Sequence, residues 1–313
     1  MKHEFDFDES LPQPFYFDDM NLEKGFGRLY VKIYRMLVEK QLKKYKPSDS
    51  VSFETEYYNS FDNSLQKYYV IKPVNSSGKL KTFIYYHGGG FLWPFASYMA
   101  EMMCQYAEEL GVQVLIPEYR TSPEYHSDTI IGDCWHFLQF VKNNAEKLNV
   151  DLRKLYLYGD SAGGALASSV ALLNRDRNFC KISGMFLIFP AVDNGEKYKS
   201  FEEYAYAPWS KTANRHAWNM YLGKNENEYT KYAVPIKCDL HGFPVSYVEF
   251  HQMDLLRDQG IAFAEKLEKS GVKVYKKLVE KSYHGADTQF DSKLSKDLIQ
   301  YRINLFKEII ENE

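Results

Sequence analysis

The sequence predicts an α/β protein, a mostly parallel sheet with helices on both faces. Two observations carry this. From about Thr82 onward, short β-rich runs alternate with runs of helical period. Two glycine-rich segments, His87-Gly88-Gly89-Gly90 and Gly159-Asp160-Ser161-Ala162-Gly163-Gly164, each follow directly on one of those β-rich runs. Strands separated by helices pair in parallel through crossovers, and the crossovers place helices on the sheet's faces. A length of 313 residues suits one such core carrying insertions.

The elements follow in order. Within residues 1–47, Phe26, Leu29, Tyr30, Ile33 and Leu37 recur at helical spacing, and Pro47 ends the run. This apolar face is expected to pack on its own protein, as a cap element over the site. A membrane-surface helix is the less favoured reading, because the polar face carries no dense basic cluster. Runs 51–58 and 67–71, with Asn59, Asp62 and Asn63 between them, read as an antiparallel strand pair. Strands are then predicted at 82–86, 113–116, 154–158, 184–189, 245–250 and 273–278. Helices are predicted at 98–110, 128–144, 162–174, 259–270 and from about 292. Residues 193–235 break the alternation. They hold no strand pattern and are rich in aromatics, including Trp209, Trp218 and Tyr221. An insertion at the carboxyl edge of the sheet reads as a second cap element, where ligands of open α/β sheets bind. A structural excursion with its own small core is the competing reading.

Composition narrows the function classes. Hydrophobic residues at 45% and charged residues at 26% exclude wholesale disorder. A net charge of −3 supplies no global field for nucleic acid, which is not expected as a partner. Residues 1–10 are acidic without an apolar run, and no stretch reaches membrane-spanning length. The chain is therefore expected in the cytoplasm, without stable membrane insertion. Cys104, Cys134, Cys180 and Cys238 are scattered with no C-x-x-C pair, so no metal site and no disulfide framework are expected.

Residues 159–163 fit G-x-S-x-G between a predicted strand and a predicted helix. A serine at such a turn is pushed clear of the sheet, with the free N–H groups of a helix start behind it. Small neighbours let strand and helix meet without a clash. Ser161 is the candidate nucleophile. The rival reading is a glycine-rich turn cradling phosphate. The glycines after strand 82–86 favour the nucleophile, because backbone N–H groups that stabilise an oxyanion must approach the substrate closely. Gly88, Gly89 and Ala162 are assigned to that hole. His87 sits at the wrong end of its loop for a base and is expected to anchor it.

These two motifs resemble the hormone-sensitive-lipase-like branch of the α/β-hydrolases. Tyr119-Arg120-Thr121-Ser122-Pro123-Glu124 is similar to that family's Y-R-L-A-P-E stretch, with two departures. The resemblance runs over residues 82–284. It implies the α/β-hydrolase fold with an N-terminal cap and a second cap insertion. It also implies carboxylic ester hydrolysis with no metal or organic cofactor.

A serine nucleophile needs a base and an orienting carboxylate, in the chain order Ser, acid, His for this fold. Of the histidines after Ser161, His284 follows the strand at 273–278 and is the expected base. Asp254 is chosen as the acid over Glu249 and Asp258. It lies just past a strand end and matches the first Asp of the family's D-x-L-R-D pattern. Phe91, Trp93 and Trp209 are expected to wall the substrate site. Bulky walls favour short acyl esters, from acetate to roughly hexanoate. The alternatives are an amidase or deacetylase acting on an acylated small molecule or sugar, and a noncatalytic small-molecule receptor on the same fold. The plant gibberellin receptors resemble the family but lack the catalytic histidine, so the presence of His284 argues against a receptor. A homodimer through a sheet edge is left open.

Overall fold

The structure, a computed structural model, describes residues 4–17, 21–224 and 226–312, without the side chain of Phe26. The predicted place of Phe26 on an apolar helix face lies outside the described residues.

Among the described residues one eight-stranded sheet runs through the molecule, in the order β1-β2-β4-β3-β5-β6-β7-β8. The strands are β1 (Val51–Asn59), β2 (Leu65–Pro73), β3 (Leu80–Tyr86), β4 (Gln113–Pro117), β5 (Val150–Asp160), β6 (Gly184–Ile188), β7 (Ser246–His251) and β8 (Val274–Val279). β2 is antiparallel to both β1 and β4. From β4 to β8 every pairing is parallel. Each predicted strand is present. β5 starts at Val150 rather than 154, because an extra pairing of Leu80 with Val150 lies beyond a register shift.

The helices are α1 (Gly25–Leu42), α2 (Ser97–Leu110), α3 (Ser127–Asn143), α4 (Ala162–Asp176), α5 (Ser200–Glu203), α6 (Lys211–Leu222), α7 (Arg257–Lys269) and α8 (Lys293–Asn312). Side chains alternate across the central strands, as the pleat requires. Phe83 and Tyr85 of β3 join Tyr156 and Tyr158 of β5 in the core that includes α2 and α8. Ile84 and Tyr86 join Leu155 and Leu157 in the opposite core, with α3, α4 and α7. β4 and β6, paired on both sides and covered on both faces, are buried at every residue.

β3 lies between β4 and β5, so the order of the chain reverses at β3. Such a reversal opens a crevice at the carboxyl ends of the strands. Tyr86 stands opposite Gly159 in register. Both glycine-rich segments therefore leave the sheet side by side.

Over this crevice lie residues 4–17, α1 and the 193–235 segment. The N–H of Asp8 donates to Lys281 O at 2.8 Å, and that of Phe17 to Pro208 O at 3.1 Å. The 193–235 segment holds α5, α6, whose start is capped by Ser210 Oγ, and a short 3-10 turn, with no strand among the described residues. α1 corrects an expectation. It buries Val31, Val38 and Leu42 and turns Leu29, Ile33 and Leu37 to solvent. The helix carries two apolar stripes, and only one can face inward. The stripe holding Tyr34 is inside, because Tyr34 meets the Trp93 ring edge-on at 5.6 Å. Arg35 fixes the helix there, donating to Leu92 O at 2.6 Å and to Glu124 Oε2 at 2.7 Å. No helix among the described residues is long and apolar enough to cross a membrane.

Candidate active site

Ser161 stands between β5 and α4 with φ 52° and ψ −122°. That left-handed backbone is costly for a residue with a side chain. Backbone bonds hold it: the Ser161 N–H donates to Ile188 O at 2.9 Å, and Ser161 O accepts from Ala191 N at 2.8 Å and Gly164 N at 3.0 Å. Gly163 explains the glycine requirement. A Cβ there would lie 1.9 Å from the carbonyl oxygen of Tyr86, so α4 meets the end of β3 backbone to backbone.

His284 lies in the loop between β8 and α8. Its Nε2 is 2.8 Å from Ser161 Oγ, and its Nδ1 is 2.7 Å from Asp254 Oδ2. An ionised carboxylate only accepts, so Nδ1 carries the proton and Nε2 is left to accept from the serine hydroxyl. Asp254, in the turn after β7, is fully buried, and its Oδ1 accepts the Leu256 N–H at 2.9 Å. The His284 ring sits 4.6 Å from Phe189 and 6.3 Å from Trp209, centre to centre. The structure thus brings Ser161, His284 and Asp254 into one line. Asp258 is elsewhere, accepting from Ser200 N at 2.8 Å.

Glu249, the other carboxylate weighed as the acid, does not reach His284. Instead it is buried with Arg302 of α8, whose Nε donates to it at 2.9 Å, and with His251 Nε2 at 3.0 Å. Arg302 also reaches Asp287 Oδ2 at 2.8 Å. His251 Nδ1 lies 2.7 Å from both Tyr283 O and Ser282 Oγ. This charged cluster therefore grips the chain on both sides of His284.

The oxyanion assignment needs one correction. The Gly88 N–H is not free: it donates to Asp160 Oδ1 at 3.0 Å, and Asp160 Oδ1 also accepts from Tyr85 OH at 2.6 Å. Gly88 does not line the cavity at Ser161, whereas Gly89 and Gly90 do. Ala162, as first residue of α4, adds a helix-start N–H beside Ser161. The Gly88–Asp160 bond follows from register, since Asp160 and the residue after His87 sit at the ends of paired strands. Sequence alone gave three equivalent glycines. His87 holds the loop. It is buried, stacks on Tyr119 at 4.3 Å, and its carbonyl accepts from Tyr119 OH at 2.5 Å. Burial lowers its pKa to about 4, which keeps the ring neutral.

A cavity of about 390 Å3 opens above Ser161. Trp93 and Trp209 line it, with Phe17 and Tyr34 beside them. Phe17 packs 5.4 Å from Trp93 and 5.6 Å from Trp209. Phe91 does not reach the cavity. It is 1% exposed and stacks on Tyr221 at 3.8 Å. The N–H groups of Leu92 and Trp93 both donate to Gly89 O, and this tight turn sends Phe91 and Trp93 to different places. Phe15, Phe17 and Tyr34 were missed as wall residues, because only the folded chain brings the N-terminal segment over the site.

The fold and this site define a class: the chain belongs to the alpha/beta hydrolase fold family, in its hormone-sensitive-lipase-like branch, whose sequence pattern matches residues 83–288. Among curated relatives, the putative alpha/beta hydrolase R526 of Acanthamoeba polyphaga mimivirus is 25% identical over 207 residues, covering 65% of this chain and 60% of that protein. The carboxylesterase NlhH of Mycobacterium tuberculosis is 30% identical over 205 residues, covering 62% of this chain and 63% of that one. The matched part is thus less than two-thirds of the length of either relative. Among solved structures, a bacterial heroin esterase superposes with a TM-score of 0.86 at 26% identity, covering 97% of this chain and 98% of that one.

Proposed function

We propose that this chain is a serine carboxylesterase that cleaves short acyl esters through a covalent acyl-enzyme. The observation that carries the reading is the line from Ser161 Oγ through His284 to Asp254, with contacts of 2.8 and 2.7 Å, at the floor of an apolar cavity. His284 Nε2 takes the Ser161 proton as Oγ attacks the ester carbonyl. Asp254 keeps the imidazole in the right tautomer and stabilises the imidazolium. The N–H groups of Gly89, Gly90 and Ala162 receive the oxyanion, each such donor contributing about 3 kcal/mol. His284 then protonates the leaving alcohol and activates water for deacylation. The esterase names among the relatives and the solved structure support the same chemistry.

Trp93 and Trp209 crowd the cavity beside the oxyanion loop, which favours acetate to about hexanoate esters over long chains. The test is hydrolysis of p-nitrophenyl acetate, butyrate and decanoate by wild type and Ser161→Ala, both shown to be folded. Turnover of the short esters that vanishes in the variant is expected. A folded wild type without turnover, or turnover that survives Ser161→Ala, would overturn the reading.

A further inference from the structure

The outer face of α1 carries Leu29, Ile33, Met36 and Leu37, spaced i, i+4, i+7 and i+8, and all are exposed, Met36 by 62%. A continuous apolar stripe on an otherwise packed helix differs from single apolar residues scattered over a surface. Lys32 and Lys40 lie one turn from members of the stripe, Arg28 and, just past the helix end, Lys43 and Lys44 extend the rim, and Glu39 is the one acid among them, all exposed. The chain as a whole nets −3, so this rim, net cationic though not densely basic, is a local feature; the membrane-surface reading the sequence disfavoured returns because the fold leaves Leu29, Ile33, Met36 and Leu37 uncovered. The same helix places Tyr34 and Val38 on the wall of the cavity. Phe15 joins the two surfaces. It lines the cavity, is 57% exposed, and stacks on Tyr30 of α1 at 6.0 Å with the rings 7° apart.

We infer that this face of α1 docks reversibly on an anionic lipid surface, with the cavity mouth at the boundary. An apolar stripe rimmed with Lys and Arg is the form that lies in a lipid interface. Acidic headgroups supply the opposite charge and the acyl layer receives the stripe. A second copy is a poorer occupant, because a two-fold contact would set the same cationic rim against itself. Binding does not depend on the chemistry at Ser161. Its use, admitting apolar esters that partition into the bilayer, rests on the esterase reading.

The test is vesicle flotation of the full chain carrying Ser161→Ala. Vesicles of phosphatidylcholine are compared with vesicles containing about one-third phosphatidylglycerol. Flotation with the anionic vesicles only is expected, falling at least about tenfold as salt rises from about 0.05 to 0.5 M. Leu29→Glu with Met36→Glu, and separately Lys32→Glu with Lys40→Glu, should each abolish flotation. On the active background, both pairs should keep their circular dichroism and turn over dissolved p-nitrophenyl acetate within about twofold of wild type. No flotation, equal flotation with neutral vesicles, or flotation that survives both pairs would overturn the inference. So would a wild-type dimer that Leu29→Glu with Met36→Glu splits without any lipid binding, which would make the face a contact between copies. A failure of the esterase reading would show instead as absent ester turnover with flotation intact.

Discussion

Asp254 holds two groups at once: Oδ2 faces His284 Nδ1 at 2.7 Å while Oδ1 accepts the Leu256 N–H at 2.9 Å. The carboxylate is therefore fixed before it orients the imidazole. Asp254→Asn keeps an oxygen for Leu256 but presents an amide to Nδ1, which favours the wrong tautomer. We expect kcat on p-nitrophenyl butyrate to fall about 10⁴-fold with little change in melting temperature. A loss of less than tenfold would remove Asp254 from the role proposed for it.

Asp160 should leave a mark on stability against pH. Burial pushes its carboxyl up from the usual 3.8 to about 6, against the pull of the Tyr85 hydroxyl. The folded protein thus prefers the protonated form more than the unfolded chain does. The stability this gives is fully present below about pH 4 and is lost as pH rises through about 6. Asp160→Asn retains an acceptor for Tyr85 and Gly88 but does not titrate. Urea denaturation of both proteins between pH 4 and 7 should show wild type losing stability relative to the variant. Parallel curves would refute the linkage.

Phe91 and Trp209 should separate stability from specificity. Phe91→Ala empties a site in the core against Tyr221 and should cost about 3–5 kcal/mol in urea denaturation, with KM little changed. Trp209→Ala opens the cavity wall near His284. It should move the preferred p-nitrophenyl ester toward longer acyl chains. An unchanged chain-length profile would place the acyl group elsewhere.

Burial opposes ionisation of Glu249, but Arg302 holds its carboxyl well below the usual range. Arg302→Met leaves Glu249 and Asp287 buried without their cation, and should cost about 3–5 kcal/mol. Adding Glu249→Gln should recover part of that loss. If the double variant is no more stable than the single, the pair is not coupled as described.

Legibility in the sequence followed the kind of signal each residue carries. Ser161, Asp254 and His284 could be placed because each follows a strand whose order along the chain the fold dictates. Gly88 was misassigned because three adjacent glycines look alike until the pairing of Tyr86 with Gly159 gives one of them to Asp160. Phe91 and Trp93 are two residues apart, and which one meets the cavity depends on a turn closed by Gly89 O. α1 offered two apolar stripes, and what settles the choice is the ring of Trp93, more than fifty residues away. Glu249 read as a rival acid inside a strand, whereas its partner Arg302 lies in a helix where a charge reads as solvent-facing.

The contact of Gly163 with the Tyr86 carbonyl divides the site into halves that can and cannot be altered. No side chain separates α4 from β3, so nothing there can be trimmed to make room, and any addition would separate the serine from its neighbouring loop. Residues 4–17 and the 193–235 segment meet the cavity through side chains such as Phe15, Phe17 and Trp209, which can be shortened without touching that joint. Efforts to retune this cavity by directed evolution should therefore concentrate libraries on those two segments and leave the glycines of 159–164 untouched.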